Sequence, residues 1–180
     1  MANAETIRYA TRDDAGRLAA LAEKTFRDAF AAENRAADMD AHCARSFGAE
    51  LQRAEIEDAG LVTLLVESGG ELVAYAQLAP GAPSRWIEGG TPAEIRRFYV
   101  DAAWHGRGIA QRLMERTLEI AGAAGVEVVW LGVWERNPRA IAFYGKSGFT
   151  QRGHQTFLLG ADPQRDLVLA RRISGGSEAR

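Results

Sequence analysis

The chain has 180 residues, a formal net charge of −2 at pH 7, 47% hydrophobic residues and 26% charged residues. This balance is typical of one folded globular domain, and the charge offers no electrostatic case for binding nucleic acid or an anionic membrane surface. A single cysteine, Cys43, excludes an internal disulfide and a metal site built on several thiolates, and it favours a reducing cytoplasm. No stretch reaches the roughly 18 apolar residues of a membrane span, and the N-terminus carries acids and does not fit a signal peptide.

In the first half of the chain, the residue pattern predicts a short strand, then helices, then a pair of strands. Asp13 or Asp14 is placed to cap an amphipathic helix whose apolar residues, ending at Phe26 and Phe30, recur at helical spacing. Two strand-like runs joined by a Gly-Gly turn then predict a hairpin, followed by a surface loop. The elements expected up to this point are strand Thr6–Thr11, the capped helix, a helical region at about Asp38–Asp58, strands Leu61–Glu67 and Leu72–Leu78, and the loop Pro80–Pro92.

The second half of the chain alternates strands with helices. Ile95 and Phe98 are three positions apart, so both can face one core only across a β-bulge. A strand-helix-strand unit implies a parallel pair, whereas the hairpins imply antiparallel pairing elsewhere. We therefore predict a mixed α/β (α+β) fold over residues 1–173, with a loose polar tail over 174–180. The expected elements are strand Ile95–Val100, helix Gly108–Ala121, strand Val126–Val133, helix Pro138–Ser147, and strands Phe149–Leu159 and Leu167–Ile173.

A glycine-rich segment, His105-Gly106-Arg107-Gly108-Ile109-Ala110, lies between a strand and a helix. Backbone N–H groups at a helix start attract anions, residues without Cβ let a phosphate approach closely, and the arginine can add a charge-assisted contact. A tight turn explains the glycines equally well. A Walker loop is excluded because the segment has no lysine, and a dinucleotide fingerprint fits poorly because Gln111 stands where Gly or Ala is needed.

The last predicted helix presents a second candidate surface. Asn137 and Pro138 form a favourable N-cap and first helical position. Asn137, Ala140 or Ile141, and Tyr144 share one face of that helix, which can line a groove. Taken alone, Tyr144 also fits a core aromatic residue with its hydroxyl at the edge.

The two segments together, followed by Gly148-Phe149, resemble the GCN5-related N-acetyltransferase (GNAT) superfamily over almost the whole chain. The cofactor motif of that superfamily, Gln/Arg-x-x-Gly-x-Gly/Ala, matches at Gly108 and Ala110 and departs at His105. Residues 25–30, 97–100 and 130–137 are similar to PaiA-like polyamine N-acetyltransferases. The resemblance implies a mostly antiparallel sheet of about six or seven strands, helices on both faces, and a splayed parallel strand pair.

The resemblance also implies acetyl-CoA as the cofactor and gives roles to individual residues. Tyr144 matches the general acid, and Glu94 matches a glutamate base, for which relay through water is an equal alternative. A backbone N–H near the bulge would polarise the thioester carbonyl. Residues that match cofactor contacts, some through backbone N–H groups, are Phe98, Tyr99, Val100, His105, Gly106, Arg107, Gly108, Ile109, Ala110, Gln111, Asn137, Ala140, Phe143 and Lys146. Candidates for the acceptor site are Phe26, Phe30, Trp134 and Glu135.

The implied activity is acetyl transfer from acetyl-CoA to a primary amine of a small molecule, with polyamines as one candidate. Two alternatives stay open: acetylation of a protein N-terminus or lysine, and a non-catalytic module that senses acyl-CoA. No metal ion is part of this expectation. Unlike the Arg or Gln of the motif, the histidine at position 105 is not fixed in its charge, so we expect cofactor affinity to fall as pH rises. Members of the superfamily often dimerise, which leaves a homodimer open.

Overall fold

The computed structural model describes residues 5–173, so the expected tail at 174–180 lies outside the described residues. The strands are β1 (Thr6–Tyr9), β2 (Val62–Ser68), β3 (Glu71–Pro80), β4 (Pro92–Val100), β5 (Val128–Trp134), β6 (Thr150–Leu159) and β7 (Asp162–Arg172). The helices are α1 (Ala15–Phe30), α2 (Ala36–Ser46), α3 (Ala49–Glu57), α4 (Ile109–Ala123) and α5 (Pro138–Lys146).

All seven strands form one sheet in the order β1-β2-β3-β4-β5-β7-β6. The β4–β5 pair is parallel, and the other five neighbouring pairs are antiparallel. The predicted mixed, mostly antiparallel sheet is therefore confirmed. Among residues 5–173, none of the helices has the length and apolar character that crossing a bilayer requires.

Side chains along β2 alternate between the two faces of the sheet. Leu64 and Val66 pack with Leu113 of α4, whereas Leu65 packs with Leu18 of α1. This alternation follows from the two-residue period of a strand. One face of the sheet, the α4/α5 face, is thus covered by α4 and α5, and the other, the α1/α2 face, is covered by α1 and α2. Helices on both faces were predicted and are confirmed.

Two predicted boundaries were wrong. The helical region expected at 38–58 is two helices, separated at Phe47 and Gly48, because Phe47 turns into the core and packs on Phe26 with 5.4 Å between ring centroids. The last strand begins at Asp162 rather than Leu167, because residues 162–166 continue the hairpin with β6. Their polar side chains concealed this part of the strand from hydrophobic periodicity.

β4 contains the predicted bulge. Ile95 and Arg97 lie opposite consecutive residues of β3, so Arg96 is the extra residue. Ile95 and Phe98 consequently both pack on the α4/α5 face. The bulge reverses the alternation of side chains at the point where β4 enters the candidate site.

The parallel strands separate shortly after they meet. Pairing between β4 and β5 runs from Pro92 opposite Val128 to Glu94 opposite Trp130 and does not extend beyond that pair. β5 nevertheless remains paired with β7 as far as Trp134. The predicted splay is therefore present, and it opens a gap in the sheet.

Candidate active site

A cavity of about 560 Å³ lies at the gap between β4 and β5. Its walls come from both strands, α1, the starts of α4 and α5, and the β6–β7 hairpin. Of the predicted site residues, the cavity brings together Phe26, Phe30, Glu94, Phe98, Tyr99, Val100, His105, Ala110, Trp134, Asn137, Ala140, Phe143 and Tyr144. The gap in the sheet thus joins residues that are far apart in the chain.

The glycine loop turns the chain from β4 into α4. Gly106 and Gly108 have φ angles of +77° and +76°, in the left-handed region that favours glycine. The first helical hydrogen bond runs from the Arg112 N–H to the Gly108 carbonyl at 3.1 Å. Within residues 5–173, the N–H groups of Ile109, Ala110 and Gln111 have no acceptor. Successive unpaired N–H groups at a helix start are the arrangement that attracts anions.

Side chains of the loop make contacts within the protein. The His105 Nε2 atom lies 2.8 Å from the Val100 carbonyl oxygen, so a proton on Nε2 is donated to the backbone. The Arg107 guanidinium lies over the Trp104 ring, 4.5 Å from its centroid. Ile109 is buried in the core, so only its backbone can meet a ligand. Dependence of cofactor affinity on the charge of His105 stays a prediction.

The first turn of α5 forms the opposite wall of the gap. The Asn137 Oδ1 atom accepts the Ala140 N–H at 3.1 Å, which is the predicted N-cap. Phe143 stacks on Phe98 of β4, with ring centroids 5.6 Å apart. This pair joins α5 to β4 across the gap that the separated strands leave.

Tyr144 packs against that stacked pair and lines the cavity. Its ring packs edge-on against Phe98, Phe143 and Phe149. Burial raises the pKa of Tyr144, and the nearby Tyr99 hydroxyl raises it further. Both phenols are therefore protonated at neutral pH, since burial also raises the pKa of Tyr99.

Glu94 lies where the parallel strands begin to separate. Its neighbours Ala93 and Ile95 pack on the α4/α5 face, so Glu94 faces the α1/α2 side of the cavity. Burial raises the pKa of the Glu94 carboxyl above its ordinary value, and the charge of Arg96 opposes the shift. Such a carboxyl is a stronger base than an exposed one.

The bulge is held by a partly buried ion pair between β4 and α3. The Arg97 guanidinium donates to the two carboxylate oxygens of Glu55 on α3, at 2.5 and 3.1 Å. Gln77 donates to the same carboxylate at 3.2 Å. The charge of Arg97, which lines the cavity, is therefore matched within the protein.

The α1/α2 side of the cavity has an aromatic wall. Phe30 meets Trp134 edge-on, with ring centroids 5.9 Å apart, and Phe26 lies 4.7 Å from Phe30. Glu135 points away from this wall: it is exposed and lies 3.8 Å from Arg165. Lys146 is likewise outside the cavity lining, at the exposed end of α5.

Asp166 is a cavity residue that the sequence did not predict. It pairs with Trp134 of β5 and Gln155 of β6, and only 9% of its surface is exposed. Burial raises its pKa to about 6. The expected strand began at Leu167, which placed Asp166 in a loop. The sequence signal for Asp166 would have been the polar residues that continue the β6–β7 hairpin before Leu167.

A sequence profile of the acetyltransferase (GNAT) family matches residues 18–149. The chain belongs to the GNAT family. An uncharacterized N-acetyltransferase of Mycobacterium tuberculosis is 35% identical over 164 residues, which cover 89% of this chain and 98% of that protein. The predicted family is confirmed, and with it N-acyl transfer from acetyl-CoA as the class of reaction.

Solved GNAT structures have the same fold. The PaiA N-acetyltransferase from Thermoplasma acidophilum, in complex with coenzyme A, matches with a TM-score of 0.78 at 17% identity, over 94% of this chain and 99% of that chain. The ribosomal-protein-S18-alanine N-acetyltransferase from Escherichia coli matches with a TM-score of 0.67 at 18% identity, over 98% and 99%. At these identities the likeness establishes the fold.

Proposed function

We propose that this chain acetylates a primary amine of a small molecule, with Tyr144 as the general acid. The observation that carries the proposal is that Tyr144, Glu94 and the aromatic residues of α1 line the same cavity. Amine acetylation needs a neutral amine held against a thioester, a donor for the carbonyl oxygen, and a proton for the leaving thiolate. Each need has a candidate group in this cavity.

Residues at the starts of α4 and α5 fit the donor. Acetyl-CoA supplies the acetyl group as a reactive thioester. The N–H groups of Ile109, Ala110 and Gln111 suit its pyrophosphate, because they are donors without an acceptor in the described chain. The gap lined by Asn137 and Phe143 suits the pantetheine arm. These residues are therefore assigned to holding and orienting acetyl-CoA.

The backbone of β4 after the bulge is assigned to polarising the carbonyl. Beyond Glu94, β4 has no pairing with β5, so its edge faces the cavity rather than a neighbouring strand. An N–H near Tyr99 or Val100 can then donate to a carbonyl oxygen in the gap. The Arg97–Glu55 ion pair would keep this edge in place.

Tyr144 is assigned to protonating the leaving thiolate. A phenol with a raised pKa remains protonated at neutral pH, so its proton is available when a thiolate forms beside it. The surrounding aromatic rings exclude water and restrict the ring to one orientation. This environment favours transfer of a proton from Tyr144 over transfer from bulk water.

Glu94 is assigned to removing the proton of the attacking amine, directly or through a water. Its carboxyl faces the acceptor side, and its raised pKa brings it closer to the working pH. The similarity of residues 130–137 to PaiA-like polyamine N-acetyltransferases makes polyamines the first acceptors to test. The aromatic wall of Phe30 and Trp134 suits alkyl segments.

The proposal is tested by thiol release from acetyl-CoA with polyamines, monoamines, amino acids, aminoglycosides and short peptides. We expect release with small amines and little with peptides. Release with peptides alone would instead identify a protein acetyltransferase. Lack of release with every acceptor would favour the acyl-CoA sensor.

The role of Tyr144 is tested with the variant Tyr144→Phe. We expect kcat to fall by roughly 100-fold, the low end for loss of a general acid, with an unchanged KM for acetyl-CoA. The matched control is Tyr9→Phe, because Tyr9 is 54% exposed and lies on β1, outside the cavity lining. Equal kcat values for wild type and Tyr144→Phe would remove Tyr144 from the mechanism.

A further inference from the structure

We propose that Asp166 binds a second, positively charged group of the acceptor, so that diamines and longer polyamines are preferred to monoamines. This inference rests on the proposed acetylation of small amines and names the acceptor class. Asp166 would be a specificity-determining residue that holds the far end of the acceptor while another amine reacts.

Asp166 is a buried carboxylate without a partner in the part of the chain that the structure describes. Its side chain makes no hydrogen bond or ion pair with any group in residues 5–173, although only 9% of the residue is exposed. Arg165 beside it pairs with Glu135, and Gln164 binds Asn34 and Asp162. A buried charge without a partner is costly, and such groups are usually satisfied by a ligand or an ion.

The direction of the side chain places that charge in the cavity. In β7, Val168 and Ala170 pack on the same face as Trp130, whereas Leu167 and Leu169 pack on the α4/α5 face. Alternation therefore sends Asp166 to the acceptor side, where it lines the cavity beside Trp134. An ammonium group in the cavity would supply the missing charge and donors.

Gly132 lets the side chains of Asp166 and Gln155 approach the backbone of β5 closely. A Cβ atom at Gly132 would lie 3.2 Å from the Asp166 Oδ2 atom and 2.8 Å from the Gln155 Nε2 atom. Gly132 lies between Trp130 and Trp134 on β5, and all three lie on the acceptor side by alternation. The missing side chain therefore brings the Asp166 carboxylate and the Gln155 amide close together over β5, at the wall of the cavity.

The positions of the two cavity carboxylates suit an extended acceptor. Glu94 lies opposite Trp130, and Asp166 lies opposite Trp134, so their positions differ by four residues along β5. At about 3.3 Å per residue this offset is roughly 13 Å. A monoamine cannot reach both positions, whereas a polyamine can present one amine near Glu94 and place another at Asp166.

Competing cations in the cavity do not neutralise Asp166. Arg97 is paired with Glu55, and Arg96 and Arg139 are exposed side chains outside hydrogen-bond distance of Asp166. Burial accounts for the raised pKa of Asp166, with no cation opposing it. The carboxylate is therefore available to an incoming ammonium group.

The test compares α,ω-diamines with n-alkylamines of the same length, using wild type, Asp166→Asn and Asp166→Ser. We expect wild type to prefer the diamine by at least about 10-fold in kcat/KM. Each variant should lose that preference through a higher KM for the diamine, while kcat/KM for the n-alkylamine changes by less than about threefold. The control is Glu119→Gln, an exposed carboxylate on α4 that should retain the preference.

Binding is measured separately, by calorimetric titration of the diamine into each protein saturated with coenzyme A. We expect at least about 10-fold weaker binding to both Asp166 variants. Equal losses for diamine and n-alkylamine, or a wild type without preference, would overturn the inference. If wild type acetylates no amine, the proposed function fails. The titration then decides the role of Asp166: diamine binding that needs Asp166 supports the inference, and absent binding or binding without this dependence overturns it.

Discussion

Glu94 lies directly opposite Trp130, and this pair is the last one between β4 and β5. Pairing with β5 up to this position fixes the backbone of Glu94. The strands separate beyond it, so the Glu94 carboxyl is exposed to the cavity. Burial there also raises its pKa. The end of one short parallel ladder thus determines both the location and the basicity of the proposed base.

Replacement of Glu94 by Gln is expected to lower kcat and to change the pH profile. A base acts only when ionised, so wild-type activity should rise with pH through the raised pKa of Glu94. Glu94→Gln should lose this acidic limb, with kcat lower by roughly 100-fold. Initial rates between pH 5 and pH 9 measure both effects. An unchanged kcat and profile would mean that water alone removes the amine proton.

Gly108→Ala is expected to weaken binding of acetyl-CoA. Gly108 has a φ angle of +76°, and an added Cβ would lie 2.8 Å from the Arg112 Nη1 atom. This conformation costs a residue with a Cβ atom about 1 kcal/mol, and relaxation of the turn would misalign the N–H donors that follow. We expect a several-fold higher Kd for coenzyme A, measured by calorimetry.

The matched control for that change is Gly16→Ala. Gly16 lies inside α1, and an added Cβ there would meet nothing within 4 Å. Alanine favours a helix by about 1 kcal/mol over glycine, so this variant should be at least as stable as wild type and bind coenzyme A equally well. Equal Kd values for all three proteins would contradict the anion site at the start of α4.

Asp166→Asn is expected to stabilise the protein at neutral pH. The pKa of Asp166 is raised to about 6 in the fold, so ionisation opposes folding as pH rises from about 4 to 6. Asparagine avoids this cost, which is about 1 to 3 kcal/mol at pH 7. The difference in unfolding free energy from urea titration should be large at pH 7 and disappear near pH 4. A destabilised Asp166→Asn at pH 7 would show that the protein itself satisfies the carboxylate.

Asp14→Asn is expected to destabilise the fold. The Asp14 carboxylate accepts from the Arg8 guanidinium at 2.7 and 2.8 Å and from the Thr11 N–H at 2.8 Å. Arg8 lowers the pKa of Asp14, so this stabilisation is present above the ordinary aspartate pKa and is lost as pH falls through the lowered one. We expect a loss of about 2 kcal/mol in unfolding free energy at pH 7.

The neighbouring variant Asp13→Asn serves as the control for Asp14. Asp13 is exposed and makes no ion pair within residues 5–173. Its replacement should change the unfolding free energy by less than about 0.5 kcal/mol. Similar losses for Asp13→Asn and Asp14→Asn would mean that the helix start, rather than the Arg8 ion pair, accounts for the effect.

Several features of the site were predictable because they depend on neighbours in the sequence. The left-handed glycines, the Asn137 cap and the bulge between Ile95 and Phe98 follow from backbone conformation, helix capping and strand alternation. Each is a local requirement that the residues themselves reveal. Local patterns therefore predicted the backbone geometry of these segments, and the resemblance supplied acetyl-CoA as the expected ligand.

Other features depend on which distant segments meet. The Phe47 turn between α2 and α3 exists because its ring packs on Phe26, and the His105 Nε2 atom meets the Val100 carbonyl only in the folded loop. Periodicity cannot report either contact. The predicted acceptor carboxylate Glu135 proved exposed, whereas the unpredicted Asp166 lines the cavity.

By itself, the sequence determined the succession of strands, the strand-helix-strand unit and the family of this acetyltransferase. The tertiary structure alone decided which carboxylates line the cavity. Asp166 enters the cavity because β7 begins at Asp162, so that Asp166 pairs with Gln155 of β6 on one side and with Trp134 of β5 on the other. The charge state of a buried carboxylate depends on the groups that pack around it. Those groups come from strands that are distant in the chain.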